Sequence, residues 1–226
     1  HLWLTHTKAN RVSAQRMKNP SSPTVKTTKE IFNTLKVGKL KESNHSIPIA
    51  KPLKFTSQNL NIDPYLLGIW LGDGDNNGRI ETADPEILNS YEHHIIPSSI
   101  RAISKSSSYR IDGLTTKLKK YNLLFNKHIP KVYLLSSYND RLALFQGLMD
   151  SDGSCTSGRL EFTTVLPQLA ADVKELISSL GIKVSVIVNK SYLNGERKRD
   201  RFRFNFTTEL PVFRLSRKLN NIRIKN

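Results

Sequence analysis

Two apolar runs along the chain end in the same way. The first occupies residues 66–74 (LLGIWLGDG) and the second residues 145–153 (FQGLMDSDG). Neither run has the polar stripe of a surface helix, so the pattern predicts two short buried helices. Asp63 is a suitable N-cap for the first, Pro64 suits its first helical position, and the closing glycines suit a helix stop. Each predicted helix therefore carries an acid at its C-terminal end.

Small residues recur four positions apart in both runs: Gly68 and Gly72 in the first, Gly147 and Ser151 in the second. That spacing places them on one face of each helix, where they allow two helix backbones to approach closely. We therefore expect the helices to pack together and to bring Asp73 and Asp152 into one paired acidic site. Two unrelated core helices or one membrane span are the alternatives, but each run is far shorter than the roughly 20 residues that cross a bilayer.

The similarity between the two regions continues beyond the runs. The first half is predicted to have a strand at 78–82, a helix at 84–94, strands within 100–111 and a helix from 115; the second has a strand at 158–163, a helix at 167–180, strands at 183–190 and 197–207, and a helix from 207. Each half thus follows the order helix, two strands, helix, two strands, helix. The pattern predicts a duplicated α+β unit with pseudo-two-fold symmetry, its halves at residues 61–138 and 139–226.

Residues 1–60 differ from this regular part and are interpreted as an N-terminal appendage. A break at residues 19–23 separates a basic start from a short helix at about 28–35. Residues 47–53 contain two prolines and are predicted to form an edge strand, because proline disrupts a central ladder.

The charge balance indicates a polyanionic partner. The 226 residues include 35 Lys and Arg against 19 Asp and Glu, a formal charge of +16. Nucleic acid is favoured over a membrane surface because no helix pairs a basic face with a strong apolar one. Without a signal peptide or a long apolar segment, an intracellular, soluble protein is expected. The single Cys155 and six scattered histidines exclude a disulfide framework and a zinc-type cluster.

The last predicted hairpin, with Asn194-Gly195 at its turn, offers a surface for DNA. Its return strand alternates between a polar face of Arg197, Arg199, Arg201, Arg203 and Asn205 and an aromatic face of Phe202, Phe204 and Phe206. A two-stranded ribbon can enter a major groove, where arginine pairs with guanine and asparagine with adenine. A solvated charged face is the alternative. Further DNA contacts are expected from Arg79, Arg159, Lys190 and Tyr192.

Residues 63–74 and 147–153 resemble the paired motifs of the LAGLIDADG homing endonucleases, and the first is most similar to motifs of endonucleases embedded in inteins. The resemblance covers about residues 62–225. It implies the duplicated αββαββα fold of the two-motif monomers, with the motif helices at the interface and a saddle of strands on DNA. Leu71 and Gly72 stand where the family name has aspartate and alanine, which changes the packing and leaves the final acid in place.

The resemblance implies that the last acid of each motif, Asp73 and Asp152, binds a divalent metal ion, Mg²⁺ or Mn²⁺. Phosphodiester hydrolysis needs an activated water, a neutralised phosphate and a stabilised leaving oxygen, all of which metal ions supply. Magnesium takes carboxylate oxygens together with phosphate and water, and the negative ends of helix dipoles favour cations. For either acid alone, a capping or loop residue is the alternative.

Intein-type members place a basic residue before the second motif in the order lysine, any residue, isoleucine, proline, which residues 127–130 match. The resemblance implies that Lys127 polarises the scissile phosphate or orients the water, with a solvated loop lysine as the alternative. For the equivalent residue of the second half, the internal repeat favours Lys225, with Arg223 as second choice. His128 is expected to have no part in catalysis.

Residues 1–5 resemble the end of a histidine-containing intein block, and residues 47–55 resemble the strand before intein endonuclease domains. The N-terminal nucleophile and C-terminal histidine of splicing are missing, so a fragment or a free-standing descendant is expected. The resemblance predicts a monomeric, metal-dependent endonuclease that cuts both strands of a long double-stranded DNA site. A non-cleaving DNA- or RNA-binding protein on the same fold, such as a maturase or regulator, and a fragment of a splicing intein are the alternatives.

Overall fold

The computed structural model describes residues 1–17, 22–82, 84, 86, 87, 100–102, 108–190, 192, 193 and 195–222. It divides into two compact units, His1–Ala50 and Lys51–Asn226. Residues 51–60, which we assigned to the appendage, group with the larger unit. The division of the remainder into halves at residue 138 stays a prediction.

The smaller unit is built on a three-stranded antiparallel sheet with β1 at its centre, in the order β2-β1-β5. Its elements are β1 (Leu2–Thr7), α1 (Lys8–Met17), β2 (Thr24–Thr27), α2 (Thr28–Asn33), β3 (Lys36–Val37), β4 (Glu42–Ser43) and β5 (His45–Ser46). Helix α2 is the one predicted near residues 28–35, and a reciprocal capping box begins it. The Thr27 hydroxyl accepts from the Glu30 N–H at 3.1 Å, and the Glu30 carboxylate accepts from the Thr27 N–H at 2.7 Å.

The larger unit has an α+β fold with two antiparallel sheets, ordered β6-β8-β7 and β11-β14-β10-β9. Its elements are α3 (Pro64–Asp73), β6 (Ile80–Glu81), β7 (Ile100–Ala102), β8 (Ser108–Ile111), α4 (Leu114–Lys120), α5 (Lys131–Leu134), α6 (Tyr138–Asp152), β9 (Ser154–Thr156), β10 (Arg159–Thr164), α7 (Pro167–Ser179), β11 (Val184–Asn189), β12 (Tyr192–Leu193), β13 (Glu196–Arg197), β14 (Arg201–Phe206) and α8 (Ser216–Leu219). An apolar helix, α3 or α6, precedes each sheet. The predicted α+β class is confirmed, and this layout is consistent with the predicted duplication.

Helices α3 and α6 are in backbone contact at the centre of the larger unit. A Cβ added to Gly68 would lie 2.2 Å from the Leu144 carbonyl oxygen, and one added to Gly147 would lie 2.1 Å from that of Tyr65. The predicted stripe of small residues therefore lies at this contact, and a side chain larger than hydrogen at Gly68 or Gly147 would separate the helices. Among the described residues, no helix is long and apolar enough to cross a membrane.

Three predicted elements are wrong in detail. Residues 47–53 form no strand. Two hydrogen bonds hold Leu53 outside any sheet: its N–H donates to Ser179 O at 2.9 Å and its carbonyl accepts from Arg141. Residues 207–210 do not open a helix, because the Thr208 hydroxyl accepts from the Leu210 N–H at 3.1 Å and forms a local turn instead.

The strand predicted at 197–207 is the third. Arg197 belongs to the small β12-β13 hairpin, and the strand of the main sheet begins only at Arg201. Residues 198–200 between them form neither strand nor helix, and Arg197 Nη2 lies 3.2 Å from Asp200 Oδ1. The helix predicted at 84–94 lies outside the described residues except at 84, 86 and 87.

Candidate active site

The two predicted acids are the last residues of the two packed helices, Asp73 of α3 and Asp152 of α6. A Cβ placed on Gly72 would lie 3.3 Å from Asp152 Oδ2, so the second carboxylate stands against the end of the first helix. Burial, and then the negative charge of Asp152, raise the pKa of Asp73 to about 6. Burial also raises the pKa of Asp152, although part of that residue reaches solvent. Two neighbouring carboxylates in this environment favour a bound cation.

Lys127 caps the end of α3 and faces both acids. Its Nζ donates to the carbonyl oxygens of Leu71 and Gly72, each at 3.0 Å, and these belong to the last turn of the helix. Burial lowers the pKa of Lys127, while the charges of Asp152 and Asp73 oppose that shift. A lysine predicted from the sequence thus lies at the paired acids, held by backbone carbonyls.

Lys218 of α8 caps the end of α6 in the related way. Its Nζ donates to the carbonyl oxygens of Met149 at 3.0 Å, Asp150 at 2.7 Å and Gly153 at 2.8 Å. Burial lowers its pKa, against the charge of Asp150. Sequence reasoning missed Lys218, because the lysine lies in a loop in the first half and in a helix in the second, so the internal repeat gave no signal.

Lys225 and Arg223, the residues that we predicted for this role, lie outside the described residues. Among the described residues, the lysine at the end of the second motif helix is Lys218, and the assignment of Lys225 or Arg223 stays a prediction.

Two cavities flank the paired acids, and each joins an acid of one half to the lysine of the other. One is lined by Asp73 and Lys218, with Asp150 and Ser151 beside them. The other is lined by Asp152 and Lys127. Each cavity therefore holds a carboxylate and an ammonium group, the pair of charges that a phosphodiester and its cation require.

Asp150 is a further buried acid at this site, two residues before Asp152. It accepts from the Tyr65 hydroxyl at 2.8 Å and from the backbone N–H groups of Arg214 at 3.0 Å and Leu215 at 3.3 Å. Burial raises its pKa, against these hydrogen bonds. Asp150 had only one signal in the sequence: the motif at residues 147–153 contains an acid besides Asp152. The motif at residues 66–74 has Leu71 at that position.

The pair of carboxylates fits a magnesium-like ion. Among the described residues no three His, Cys, Asp or Glu side chains group in a way that could hold a metal ion. Magnesium nevertheless needs only one or two protein carboxylates, because water and substrate phosphate complete its octahedron. Burial raises the pKa of both carboxyl groups, and the charge of Asp152 raises that of Asp73 further; a divalent cation would favour the charged form of both acids.

The predicted arginine face is present along β14, the strand between β10 and β11. Phe204 and Phe206 are buried, whereas Arg201 is exposed and Arg203 half-buried. Arg203 Nε lies 3.3 Å from Glu161 Oε1 on β10. The alternation of polar and aromatic residues thus holds over β14.

The other predicted contact residues are spread over several elements. Arg199 lines the cavity that contains Lys127 and Asp152, so it connects the sheet surface to the acids. Arg197 pairs with Asp200 in the short loop before β14. Exposed positions are occupied by Arg159, Lys190 and Tyr192, half-buried ones by Arg79 and Asn205.

A protein-family model and a curated protein both match this chain. The family model of the LAGLIDADG-like domain matches residues 139–205. The chain is 36% identical over 229 residues to the replicative DNA helicase DnaB of Mycobacterium intracellulare, an alignment that covers 96% of this chain and 38% of the helicase. The chain therefore spans less than two fifths of the length of this curated relative.

Solved structures of the homing endonuclease I-DmoI are similar to this chain at low identity. Its mesophilic variants align with a TM-score of 0.45 and 17% identity, covering 64% of this chain and 82% of theirs. The complex of I-DmoI with DNA and Mn aligns with a TM-score of 0.44 and 17% identity, covering 64% of this chain and 88% of that chain.

Proposed function

We propose that this protein is a homing endonuclease of the LAGLIDADG type that cuts both strands of a DNA duplex with the help of a divalent cation. One observation carries the proposal: two aspartates meet at adjoining helix ends, and each shares a cavity with a lysine of the other half. A protein that only binds an anionic backbone has no need of paired acids facing it, because like charges repel.

The site residues divide into two sets. Asp152 with Lys127 serves one strand, and Asp73 with Lys218 serves the other. A bound Mg²⁺ or Mn²⁺ supplies a Lewis acid and lowers the pKa of a water molecule. The carboxylates hold that cation, while each ammonium group, fixed on helix-end carbonyls, stands ready to neutralise charge on the scissile phosphate.

The sheet surface supports a duplex as the substrate. The chain carries a formal charge of +16, and β14 presents Arg201, Arg203 and Asn205 on one face. Arg199 extends this surface to the cavity of Lys127 and Asp152. We infer contacts to phosphates and base edges from this face, with additional contacts from Arg79, Arg159, Lys190, Tyr192 and Arg197. Because one chain holds both acids, it acts as a monomer on a long site.

The helicase relative supports an intein-type origin. The alignment covers 96% of this chain, including the smaller unit, and only 38% of the helicase. An endonuclease element encoded within a longer gene explains why a chain with a LAGLIDADG-like domain matches part of a protein named as a helicase. We infer that the smaller unit belongs to such an element.

Cleavage of a library of long random duplexes in Mg²⁺ tests the proposal. The library also includes a duplex with the helicase coding sequence from which the segment that matches this chain is removed, so that its two flanks are directly joined. We expect double-strand breaks at one enriched sequence. Stable binding without any cleavage would instead support a maturase or regulator.

Aspartate variants give the decisive comparison. Asp73→Asn and Asp152→Asn should each abolish the double-strand break and leave binding in Ca²⁺ within about threefold, because the amide keeps the shape of the side chain and loses the charge that holds the cation. Glu175→Gln removes one charge from an exposed position of α7 and serves as the matched control. Normal cutting by either aspartate variant refutes the metal site.

The arginine face has its own test. Arg201→Ala and Arg203→Ala should each weaken binding in Ca²⁺ by about 1–3 kcal/mol if they read base edges, or lower the salt slope by about one if they contact phosphates. Binding titrations at several salt concentrations separate the two results. Lys174→Ala, on the exposed part of α7, is the control. Unchanged binding by both variants contradicts the assigned DNA face.

A further inference from the structure

The lysine of the second half sits on a helix that cannot position it alone. Helix α8 has four residues and no buried residue. A helix this short is unstable in isolation, because it makes too few hydrogen bonds to offset the cost of ordering its backbone. Lys218 nevertheless places its Nζ within 3.0 Å of three carbonyl oxygens. Other contacts must therefore hold the helix in place.

Two acids of the first half supply such contacts. Both the N–H and the hydroxyl of Ser216 donate to Glu86 Oε1, each at 3.0 Å. Arg217 donates through Nε to Asp84 Oδ2 at 3.1 Å and also through Nη2. These residues immediately precede Lys218 in the chain. We call Asp84 and Glu86 together the acidic clamp.

A third acid continues the same line of contacts from inside the protein. Asp150 accepts from the N–H groups of Arg214 and Leu215, and Glu86 accepts from that of Ser216. Three consecutive backbone donors thus meet carboxylates. Charge-assisted hydrogen bonds of this kind are shorter and stronger than neutral ones. The approach of the chain to Lys218 is set by carboxylates on both sides.

Lys127 is supported differently. The N–H of Ile129, two residues later, donates to the buried Asp172 Oδ2 at 2.9 Å. Asp172 also accepts from Gln168 at 2.8 Å. The clamp on the Lys218 side, in contrast, is partly exposed: the Asp84 side chain is 22% exposed and that of its partner Arg217 is 57% exposed. The two lysines can therefore be disturbed independently.

We propose that Asp84 and Glu86 are positioning residues that set Lys218 for cleavage of one DNA strand, so that loosening the acidic clamp converts the protein into a nickase for the opposite strand. This inference rests on the proposed endonuclease function. A displacement of about 1 Å at a catalytic group can cost about 100-fold in rate. Glu86 contacts the backbone and hydroxyl of Ser216, and Asp84 contacts the Arg217 side chain and also lines the cavity that contains Asp73 and Lys218.

The test is single-turnover cleavage of a duplex whose two strands carry different fluorophores, at saturating protein in Mg²⁺. Lys218→Met and Lys127→Met first identify the strand that each lysine serves. Glu86→Ala should then slow the Lys218 strand about 10- to 100-fold and leave the other strand within about twofold. Glu86→Gln keeps one acceptor oxygen and should show a smaller loss on the same strand. Glu175→Gln, which also removes a surface charge, should slow neither strand.

Selective slowing separates positioning from general destabilisation, which would slow both strands together. Thermal melting and binding in Ca²⁺, measured on the same samples, should match the unsubstituted protein. Equal slowing of both strands, slowing of the Lys127 strand, or no change in Glu86→Ala would each overturn the inference while the proposed function stands. Absence of cleavage by the unsubstituted protein overturns the proposed function and this inference with it.

Discussion

The two halves of the larger unit place a lysine at the end of each motif helix, but they hold it by different means. Lys127 lies in a loop whose backbone is tied to the buried Asp172 two residues later. Lys218 lies on a four-residue helix held by surface acids and by Asp150. The comparison shows that two lysines can occupy corresponding positions at two helix ends while different contacts hold each of them.

The two motif helices also differ at one buried position, and the difference matches the way in which each lysine is held. The first helix carries the apolar Leu71 at the position where the second carries Asp150, and both are buried. A buried carboxylate is costly unless it is hydrogen-bonded, and Asp150 accepts three hydrogen bonds. Leu71 is apolar and needs no hydrogen-bond partner. The carboxylate of Asp150 therefore lies on the side where Arg214 and Leu215 donate to it.

The largest effect is expected from removing each lysine in turn. Lys127→Met and Lys218→Met should each slow one strand by about 10²- to 10⁴-fold, the contribution of a positioned catalytic group. Strand-resolved single-turnover rates check this, with Lys174→Met as the exposed control. If both variants slow the same strand, the assignment of one lysine to each strand is incorrect.

Substitutions at the helix contact should affect stability according to what faces the glycine. In Gly68→Ala the added methyl group meets the Leu144 backbone, which cannot move aside, so we expect a loss of about 3 kcal/mol. In Gly72→Ala it meets Ser151 Oγ, which can rotate away, and Ser151 Cβ at 2.7 Å, which moves only with the backbone, so the loss should be about 2 kcal/mol. Denaturant unfolding measures both, with Ser178→Ala on α7 as control. Equal losses of unfolding free energy in Gly68→Ala and Gly72→Ala would mean that the backbone contact between α3 and α6 can adjust as easily as the Ser151 side chain.

Asp150→Asn should destabilise the protein by about 2 kcal/mol, because an amide replaces an acceptor that meets two backbone N–H groups and one hydroxyl. The matched change in the first half, Leu71→Met, conserves volume and should cost less than about 1.5 kcal/mol. Urea unfolding of the two variants provides the measurement. A larger loss in Leu71→Met contradicts the proposed difference between the halves.

The smallest effect concerns the metal-free protein. The raised pKa of Asp73, about 6 against 3.8, means that the folded state binds this proton more tightly than the unfolded state, so this group lowers stability as pH rises from about 4 to about 6. Asp73→Asn should therefore melt roughly 2–4 °C higher at pH 8 in EDTA, and the difference should vanish near pH 4. Thermal melts at both pH values test this. A lower melting temperature at pH 8 would falsify the electrostatic account.

Local features of the fold were predictable because short-range pattern decides them. Asp63 caps α3 through a 3.0 Å bond from the Leu66 N–H, as its place before Pro64 indicated. The closing glycine of α3, Gly74, also fits its position, but for another reason than expected. Its backbone is extended, and a Cβ would lie 2.3 Å from Trp70 O, so close approach and not a left-handed turn requires glycine.

Two segments were mispredicted because a local side-chain contact selected another structure. Residues 207–210 were expected to open a helix, yet the Thr208 hydroxyl accepts a backbone hydrogen bond and makes a turn there. Arg197 was placed on the same strand as Arg201, but it pairs with Asp200 in the irregular segment between β13 and β14. In both cases the pattern within the segment was compatible with two structures, and a side-chain contact selected one.

By itself, the sequence determined the two buried helices, the acids at their ends, the small residues between them and the alternation along β14. These features follow from periodicity and from the chemistry of single residues. Only the tertiary structure decided that Lys218 caps the second helix, and that Asp84, Glu86 and Asp150 hold it there. Residues far apart in the chain make that arrangement, and their proximity depends on packing that no local pattern encodes.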